Sequence, residues 1–264
     1  MVQQWLNLVL DLVVMVMAAI LTALAVRLHF NSGFTGGKAA ICGRTGSGKS
    51  SLIALLLKLL DSLAKTAGNA VIDNTPLHRI NRRALRQCII AVPQEAIFLP
   101  DESTFQANLD PVDVSTPEEC QAILVAVGLW QFVQERGGLD SGLSAGTLSA
   151  GQRQLMSLGR SLLRRRVRAR NLGIGGGGSE GGILLLDEVS SNVGRGTESV
   201  MQDIIRAEFR DYRVVAVSHQ LDMIMDIDRV VVMDAGEIVE VGNPMMLAGE
   251  EGTRFTELVK AGAK

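Results

Sequence analysis

The segment GRTGSGKS at residues 43–50 constrains the fold of this chain more than any other part of its sequence. It matches G-x-x-x-x-G-K-[ST] and lies between an apolar run and a helix-period stretch, Lys49 to Leu60, which is the context of a phosphate-binding loop. In such a loop the backbone N–H groups turn towards phosphate oxygens, the lysine reaches the β- and γ-phosphates, and the serine hydroxyl binds Mg²⁺. The alternative is a glycine-rich turn beside an exposed lysine. The predicted nucleotide contacts are Gly43, Arg44, Thr45, Gly46, Ser47, Gly48, Lys49, Ser50 and Ser51.

Short β-branched runs alternate with helical stretches after residue 37, which predicts an α/β fold with a mainly parallel sheet. Between about residues 103 and 166 no strand candidate is of comparable quality, so this stretch is predicted to form a helical subdomain. Residues 173–182 include seven glycines and predict a flexible surface loop. The predicted strands are Ala39 to Cys42, Cys88 to Val92, Ile183 to Leu186, Arg213 to Val217 and Arg229 to Met233.

The composition excludes several classes of protein. A chain of 264 residues that is 47% hydrophobic can bury a substantial core and is not disordered. Its net charge of −2 provides no global positive field for nucleic acid, and the basic run at residues 164–170 is interpreted as the end of a helix. The three cysteines form no C-x-x-C pair, which favours reduced, small apolar side chains over a disulfide or zinc framework.

The N-terminal residues 1–36 carry an apolar stretch, Leu8 to Val26, which predicts a transmembrane helix because about 20 such residues span a bilayer. The basic residues Arg27 and Lys38 follow this stretch, so the positive-inside rule places its C-terminal side on the cytoplasmic face. The alternative is a buried helix of a soluble domain. We therefore expect an integral membrane protein whose larger domain, residues 37–264, is cytoplasmic.

Two carboxylates follow the aliphatic strand predicted at residues 183–186. Because ligands of parallel sheets bind at the carboxyl ends of the strands, Asp187 and Glu188 are expected beside the phosphate-binding loop. Asp187 can hold the Mg²⁺ shell, and Glu188 can polarise or deprotonate a water aimed at the γ-phosphate. The alternative is a charged turn after a buried strand.

The segment LSAGQ at residues 148–152 contains Ser149 and, three residues later, Gln152, which is the spacing of a capping box. It predicts a helix that begins here and continues through Leu158. Its structural role is to begin that helix, and the same uncapped N–H groups and positive dipole end can also form an anion site.

In this order the phosphate loop, the LSAGQ segment and the strand with its acidic pair resemble the Walker A, signature and Walker B motifs of ABC transporter nucleotide-binding domains. Gln94 in AVPQ resembles the family's Q-loop, and His219 in VSHQL resembles its switch histidine. The stretch NLDP at residues 108–111 and the Arg-rich and Gly-rich insertion resemble the second cassette of subfamily C (multidrug-resistance-like), particularly in fungi. The resemblance covers about Gly37 to Lys260.

The resemblance implies a P-loop NTPase cassette that binds ATP and Mg²⁺ and drives transmembrane transport of a small molecule. Two cassettes would close head to tail, and the partners would be a second cassette and transmembrane domains in a membrane, with no nucleic acid. The implied signature residues, which cap the ATP of the partner cassette, are Leu148, Ser149, Ala150, Gly151 and Gln152. The implied catalytic residues are Glu188, His219 and Gln94, and the implied Mg²⁺ ligands are Ser50, Gln94 and Asp187.

The sequence departs from the family pattern in two places. The family's two strands before the phosphate loop and its adenine-stacking aromatic residue have no counterpart, so we expect residues 1–36 to be the remnant of a transmembrane domain joined to the cassette at about Gly36-Gly37 by a deletion or a misassigned exon boundary. Gly194 stands where the family's D-loop usually has Asp. The alternative functions are a truncated, non-hydrolysing nucleotide-binding or partner module and a soluble cassette of the DNA-repair or translation type, which the apolar N-terminus disfavours.

Overall fold

The structure is a computed structural model that describes residues 37–59, 71–72, 75–173, 181–189, 193–218 and 227–262. Its strands are β1 Lys38–Gly43, β2 Val71–Ile72, β3 Thr75–Pro76, β4 Ile89–Val92, β5 Ser103–Thr104, β6 Gly142–Leu143, β7 Ile183–Asp187, β8 Arg213–Val217, β9 Arg229–Asp234 and β10 Glu237–Gly242. Its helices are α1 Lys49–Leu56, α2 Arg82–Cys88, α3 Phe105–Leu109, α4 Pro117–Ala126, α5 Trp130–Gln134, α6 Ala150–Asn171, α7 Arg195–Glu208, α8 Pro244–Gly249 and α9 Arg254–Gly262. The described residues form two compact units, one within residues 37–89 and 215–262 and one within residues 90–214.

The first unit is built on the strand order β10-β9-β1-β8. β1 pairs in parallel with β9, from Ala39 opposite Arg229 to Gly43 opposite Met233. The two strands are buried along most of their length, as expected of parallel strands that are covered on both faces. The phosphate-binding loop begins at the carboxyl end of β1, so a buried and paired strand fixes where the loop starts.

β10 returns antiparallel to β9. The reversal uses Ala235 and Gly236, which both have positive φ angles (45° and 86°), as in the type I′ turns that match the twist of a hairpin. β10 was missed in the sequence because its EIVEVG pattern is half-exposed and interrupted by a bulge between Ile238 and Glu240.

The second unit contains the neighbouring strands β4 and β7 and the helices α3 to α7. The 22-residue helix α6 packs against α4, and Gly159 lies at this contact: a Cβ there would lie 3.4 Å from Ile123 and from Leu109, at van der Waals distance. α4 begins at a capping box formed by Thr116 and Glu119. Buried aliphatic residues of both helices, such as Leu124 and Leu158, form the core of this helical layer.

The five predicted strands are confirmed to within one residue at each end, and so is the mainly parallel α/β fold. Residues 103–166 contain α3 to α5 and most of α6. Only the two-residue strands β5 and β6, which pair with each other, were not anticipated there. The basic run does end a helix, but its arginines also bind carboxylates: Arg165 pairs with Glu208 at 2.7 Å, and Arg170 with Glu119 at 2.7 Å.

The predicted transmembrane stretch, Leu8 to Val26, lies outside the described residues, as does most of the glycine-rich loop. Within the described ranges, no helix combines the length and the apolar character needed to cross a bilayer. The three cysteines are free thiols, with Cys42 and Cys120 buried as expected and Cys88 exposed.

Candidate functional site

Gly43 begins the phosphate-binding loop in a position that no other residue could occupy without a shift of the backbone. A Cβ at this position would lie 2.3 Å from the carbonyl oxygen of Met233 on β9 and 2.6 Å from Ser47 Oγ. Real Cβ atoms essentially never approach a backbone oxygen so closely. The first glycine of the motif is therefore required by the packing of the loop against β9, before any ligand is considered.

The loop then turns into helix α1 through two glycines with left-handed backbone angles, Gly46 (φ 83°) and Gly48 (φ 98°). Gly48 is the N-cap of α1, and no side chain caps the helix. The first N–H groups of a helix have no partner within the helix, and here no acidic residue in the first turn competes for them. These amides and the positive end of the helix dipole form an anion site of the kind that binds phosphate.

The Lys49 ammonium lies against the loop itself. Its Nζ donates to the carbonyl oxygens of Gly43 at 2.8 Å and of Arg44 at 3.1 Å, and the residue is only 9% exposed. The charge is therefore held at the mouth of the loop and does not extend into solvent. A triphosphate bound to the loop amides would meet a cation that is already positioned beside them.

The other loop residues differ in exposure. Arg44, Thr45, Gly46 and Ser50 are exposed, as a surface that meets a ligand must be, whereas Ser47 is buried. The Gly236 N–H donates to the Ser47 carbonyl at 3.1 Å, which ties the loop to the β9–β10 turn.

Cys42, immediately before the loop, contributes packing rather than chemistry. Burial raises the pKa of its thiol to about 12, although the nearby Lys49 charge acts in the opposite direction. A thiol with this pKa stays protonated at neutral pH, so Cys42 is not a nucleophile.

In the second unit, the two carboxylates lie at the end of β7 as the sequence predicted. Asp187 is the last residue of the strand, and Glu188 follows with φ 46°, a left-handed conformation that is unusual for a residue other than glycine. Strain of this kind persists only where the surrounding structure holds it, and it is frequent at active sites. Gln94, which follows β4, donates from its side-chain Nε2 to Glu188 Oε2 at 3.1 Å. Two predicted catalytic residues, separated by 94 positions in the chain, are therefore in direct contact.

The LSAGQ segment forms the predicted capping box. The Gln152 N–H donates to Ser149 Oγ at 3.1 Å, and the Ser149 N–H donates to Gln152 Oε1 at 2.9 Å. Leu148 is buried, Ser149 is exposed, and Gly151 packs on α7, where a Cβ would lie 2.9 Å from Thr197 Oγ1. The start of α6 is thus exposed at its cap and closely packed on its other side.

His219 falls outside the described residues, and so do residues 190–192, which precede Gly194 in the segment that resembles the family's D-loop. Gly194 is described and is the N-cap of α7, with no side-chain cap. One residue of the site escaped the sequence analysis, namely Gln154, which is 8% exposed and donates a hydrogen bond to the backbone of Gln94. A polar side chain four residues before Leu158 on the apolar face of α6 was the available signal.

Among the described residues, no cluster of three or more histidine, cysteine or acidic side chains could hold a metal ion. A Mg²⁺ ion that arrives with a nucleotide needs only one or two protein oxygens, because phosphates and waters complete its shell. The oxygens of Ser50, Gln94 and Asp187 are hard ligands of the type that Mg²⁺ prefers, so the residue types fit a Mg²⁺–nucleotide ligand.

Comparison with known proteins adds independent information. The family model described as ABC transporter matches residues 28–167. The ABC-type transporter braE of Annulohypoxylon truncatum is 67% identical over 227 residues, which cover 86% of this chain and 15% of that protein. The ABC transporter FGM5 of Gibberella zeae is 52% identical over 224 residues, 84% of this chain and 15% of that protein. This chain therefore spans about 15% of the length of these curated relatives.

A solved structure of a bacterial Atm1-family ABC exporter with ATP bound resembles this chain with a TM-score of 0.72. The match covers 87% of this chain and 38% of the exporter chain, at 24% sequence identity. At this identity the likeness establishes the fold.

Proposed function

This chain belongs to the ABC transporter family and corresponds to the nucleotide-binding domain of such a transporter, and we propose that it binds and hydrolyses ATP. We further propose that this hydrolysis drives transport of a small molecule across a membrane. The family resemblance and the fungal character of the relatives are confirmed. The place of the chain as a second cassette of subfamily C stays a prediction.

The hydrogen bond from Gln94 to Glu188 carries the proposal of hydrolysis. This bond fixes a carboxylate oxygen at the end of β7. Glu188 also has a left-handed backbone, a costly conformation that is frequent at active sites. A carboxylate held in this way is suited to orient a water and to accept its proton. The phosphate loop, with its uncapped amides and the Lys49 ammonium, supports nucleotide binding separately.

We assign the following steps to these residues. The loop residues 43–51 bind the phosphates of ATP, and Lys49 neutralises negative charge on the β- and γ-phosphates. Ser50, Gln94 and Asp187 would supply oxygens to the Mg²⁺ that accompanies ATP, and that ion would neutralise charge on the phosphates. Glu188 accepts a proton from the attacking water. The water oxygen forms a bond to the γ-phosphorus while the bond between the γ-phosphorus and the β–γ bridging oxygen breaks. The products are ADP and inorganic phosphate. His219 is assigned to the γ-phosphate by the resemblance.

The partner assignment follows from the LSAGQ segment. Ser149 is exposed at the N-terminus of a 22-residue helix, where its cap and dipole favour an anion. We propose that Ser149 and Gly151 cap the γ-phosphate of ATP bound to a second cassette, placed head to tail. We further propose that the chain acts together with transmembrane domains and that residues 37–264 lie on the cytoplasmic side of the membrane.

The experiment is a measurement of Mg²⁺-dependent phosphate release as a function of chain concentration. Because each site needs two cassettes, the rate per chain should rise with concentration, or when a partner cassette is added, until the dimer is saturated. Binding of ATP without phosphate release at every concentration, with and without a partner cassette, would contradict hydrolysis and leave a nucleotide-binding module.

A further inference from the structure

Gln154 is the fifth residue of α6 and is almost fully buried, with 8% exposure. Its side-chain Nε2 donates to the backbone carbonyl oxygen of Gln94. The helix that begins at the LSAGQ segment is thereby bonded directly to the main chain of the residue that contacts Glu188. None of the motifs discussed above includes Gln154.

Gln94 is therefore held at two points. Its backbone carbonyl accepts from Gln154, and its side chain donates to Glu188 Oε2 at 3.1 Å. Gln94 is otherwise exposed and lies in the irregular segment after β4, where no regular hydrogen-bond ladder fixes its position. The Gln154 amide thus supplies a fixed point from which the Gln94 side chain reaches the carboxylate.

The other polar atom of the Gln154 side chain, Oε1, indicates that glutamine at this position is not explained by the stability of the folded state. Its Oε1 is buried, and no donor among the described residues lies within hydrogen-bonding distance. Rotating the amide would bring Oε1 against the Gln94 carbonyl oxygen, so the observed orientation is the one in which a donor meets an acceptor. A buried acceptor without a donor destabilises the folded state, and an apolar side chain of the same size would avoid that loss. Local conflicts of this kind are expected at functional positions.

We propose that Gln154 is a positioning residue for hydrolysis: it couples the signature helix to the Gln94 main chain and, through the Gln94 side chain, sets the orientation of Glu188. This proposal rests on the proposed ATPase function. The hydrogen bond that the Gln154 side chain donates reaches the backbone of Gln94 and not Glu188 itself. Its effect is therefore expected on the chemical step and not on nucleotide affinity.

The test compares the same substitution, Gln→Met, at two positions on different helices of the second unit, one of which is a control. Gln154→Met removes the donor and keeps the approximate shape of the side chain. Gln131→Met makes the same change at an exposed position on α5, where the Gln131 side chain donates to Glu135 Oε1 at 3.0 Å. We expect Gln154→Met to lower kcat about 3- to 10-fold, as for the loss of one hydrogen bond, with unchanged KM for ATP and an unchanged or higher melting temperature. Gln131→Met should leave all three unchanged. A drop in melting temperature with parallel losses of kcat and affinity would indicate a merely structural role.

A double-mutant cycle with Gln94→Ala separates positioning from a general loss of packing. If Gln154 acts through the Gln94 side chain, Gln154→Met should have no further effect on kcat in the Gln94→Ala background. Additive losses would overturn the proposal.

Hydrogen–deuterium exchange gives a readout that does not depend on activity. Loss of the Gln154 anchor should speed exchange in a peptide covering residues 92–98 in Gln154→Met and not in Gln131→Met. Absence of phosphate release by the unmodified chain would contradict the proposed function, whereas unchanged exchange in this peptide would overturn the coupling itself.

Discussion

The two units of this chain build their parts of the candidate site in different ways. In the first unit the phosphate loop is defined by backbone: Gly43 is fixed by contact with β9, Gly48 leaves the helix uncapped, and even the Lys49 charge is held by main-chain carbonyls. In the second unit the contacts are made by side chains, such as that of Gln94 on Glu188, across 94 positions of sequence. We therefore expect substitutions that add atoms to perturb the loop in the first unit. We expect substitutions that remove a functional group to perturb the residues in the second unit.

The largest effect is expected from removing the carboxylate in the second unit. Glu188→Gln keeps the size of the side chain and the left-handed backbone but cannot accept a proton. We expect kcat for ATP hydrolysis to fall by on the order of 100- to 10,000-fold, with ATP affinity retained. Steady-state phosphate release and equilibrium nucleotide binding would check this. Hydrolysis that survives the substitution would mean that another group activates the water.

The converse prediction concerns a single added methyl group in the first unit. Gly43→Ala places a Cβ 2.3 Å from the Met233 carbonyl oxygen, so we expect a loss of about 2–3 kcal/mol in the free energy of unfolding. Gly46→Ala is the matched control. Its Cβ would meet nothing within 4 Å, and only the positive φ of 83° should cost about 1 kcal/mol. Urea denaturation of both variants gives the comparison, and equal losses would show that packing against β9 is not what requires Gly43.

Two substitutions of Ser149 separate its two roles. Ser149→Ala removes the acceptor for the Gln152 N–H and should lower the free energy of unfolding by about 1 kcal/mol. Ser149→Asp retains a good helix cap, so stability should stay close to that of the unmodified chain. Its carboxylate would repel the γ-phosphate of the partner cassette, and hydrolysis should be lost. If Ser149→Asp hydrolyses ATP normally, Ser149 begins the helix and does nothing more.

The smallest effect is a pH dependence from Cys42. Burial raises the pKa of this thiol from 9.0 to about 12, so the folded state keeps a proton that the unfolded chain releases above pH 9. Stability from this group is fully present below pH 9 and is lost as the pH rises towards 12, by at most about 1.4 kcal/mol per pH unit. Unfolding free energies measured at pH 8, 9 and 10 for the unmodified chain and for Cys42→Ala should diverge only above pH 9. A constant difference across this range would contradict the raised pKa.

The same contrast explains how much could be predicted from the sequence. The phosphate loop was predictable because its chemistry depends on consecutive residues: glycines, a lysine and a serine between a strand and a helix. The end of β7 and the start of α6 were also predictable as separate elements, since an aliphatic run before Asp187 and a Ser149–Gln152 spacing are local signals. The contact between Gln94 and Glu188 came only from the family resemblance, because no local pattern relates residues so distant in sequence.

Gln154 shows the remaining limit. Its partner is a backbone carbonyl, which every residue has, so no pairing of residue types can reveal the contact. The edge strand β10 was missed for a different reason: its half-exposed, bulged pattern has weak periodicity. The sequence therefore did not predict a contact between a side chain and a distant main-chain atom. It also did not predict a strand that is half-exposed and bulged.

Nucleotide binding by the phosphate loop is the central claim, and thermal unfolding with increasing Mg²⁺–ATP tests it most directly. A ligand that binds only the folded state at about 100 times its Kd adds about 2.7 kcal/mol, which for a chain of this size corresponds to an increase of roughly 5–10 °C in melting temperature. Lys49→Met, which removes the ammonium that lies on the loop, should lose most of this increase, while Lys260→Met on the exposed face of α9 should retain it. An unmodified chain whose melting temperature does not change at any concentration of Mg²⁺–ATP would contradict the account.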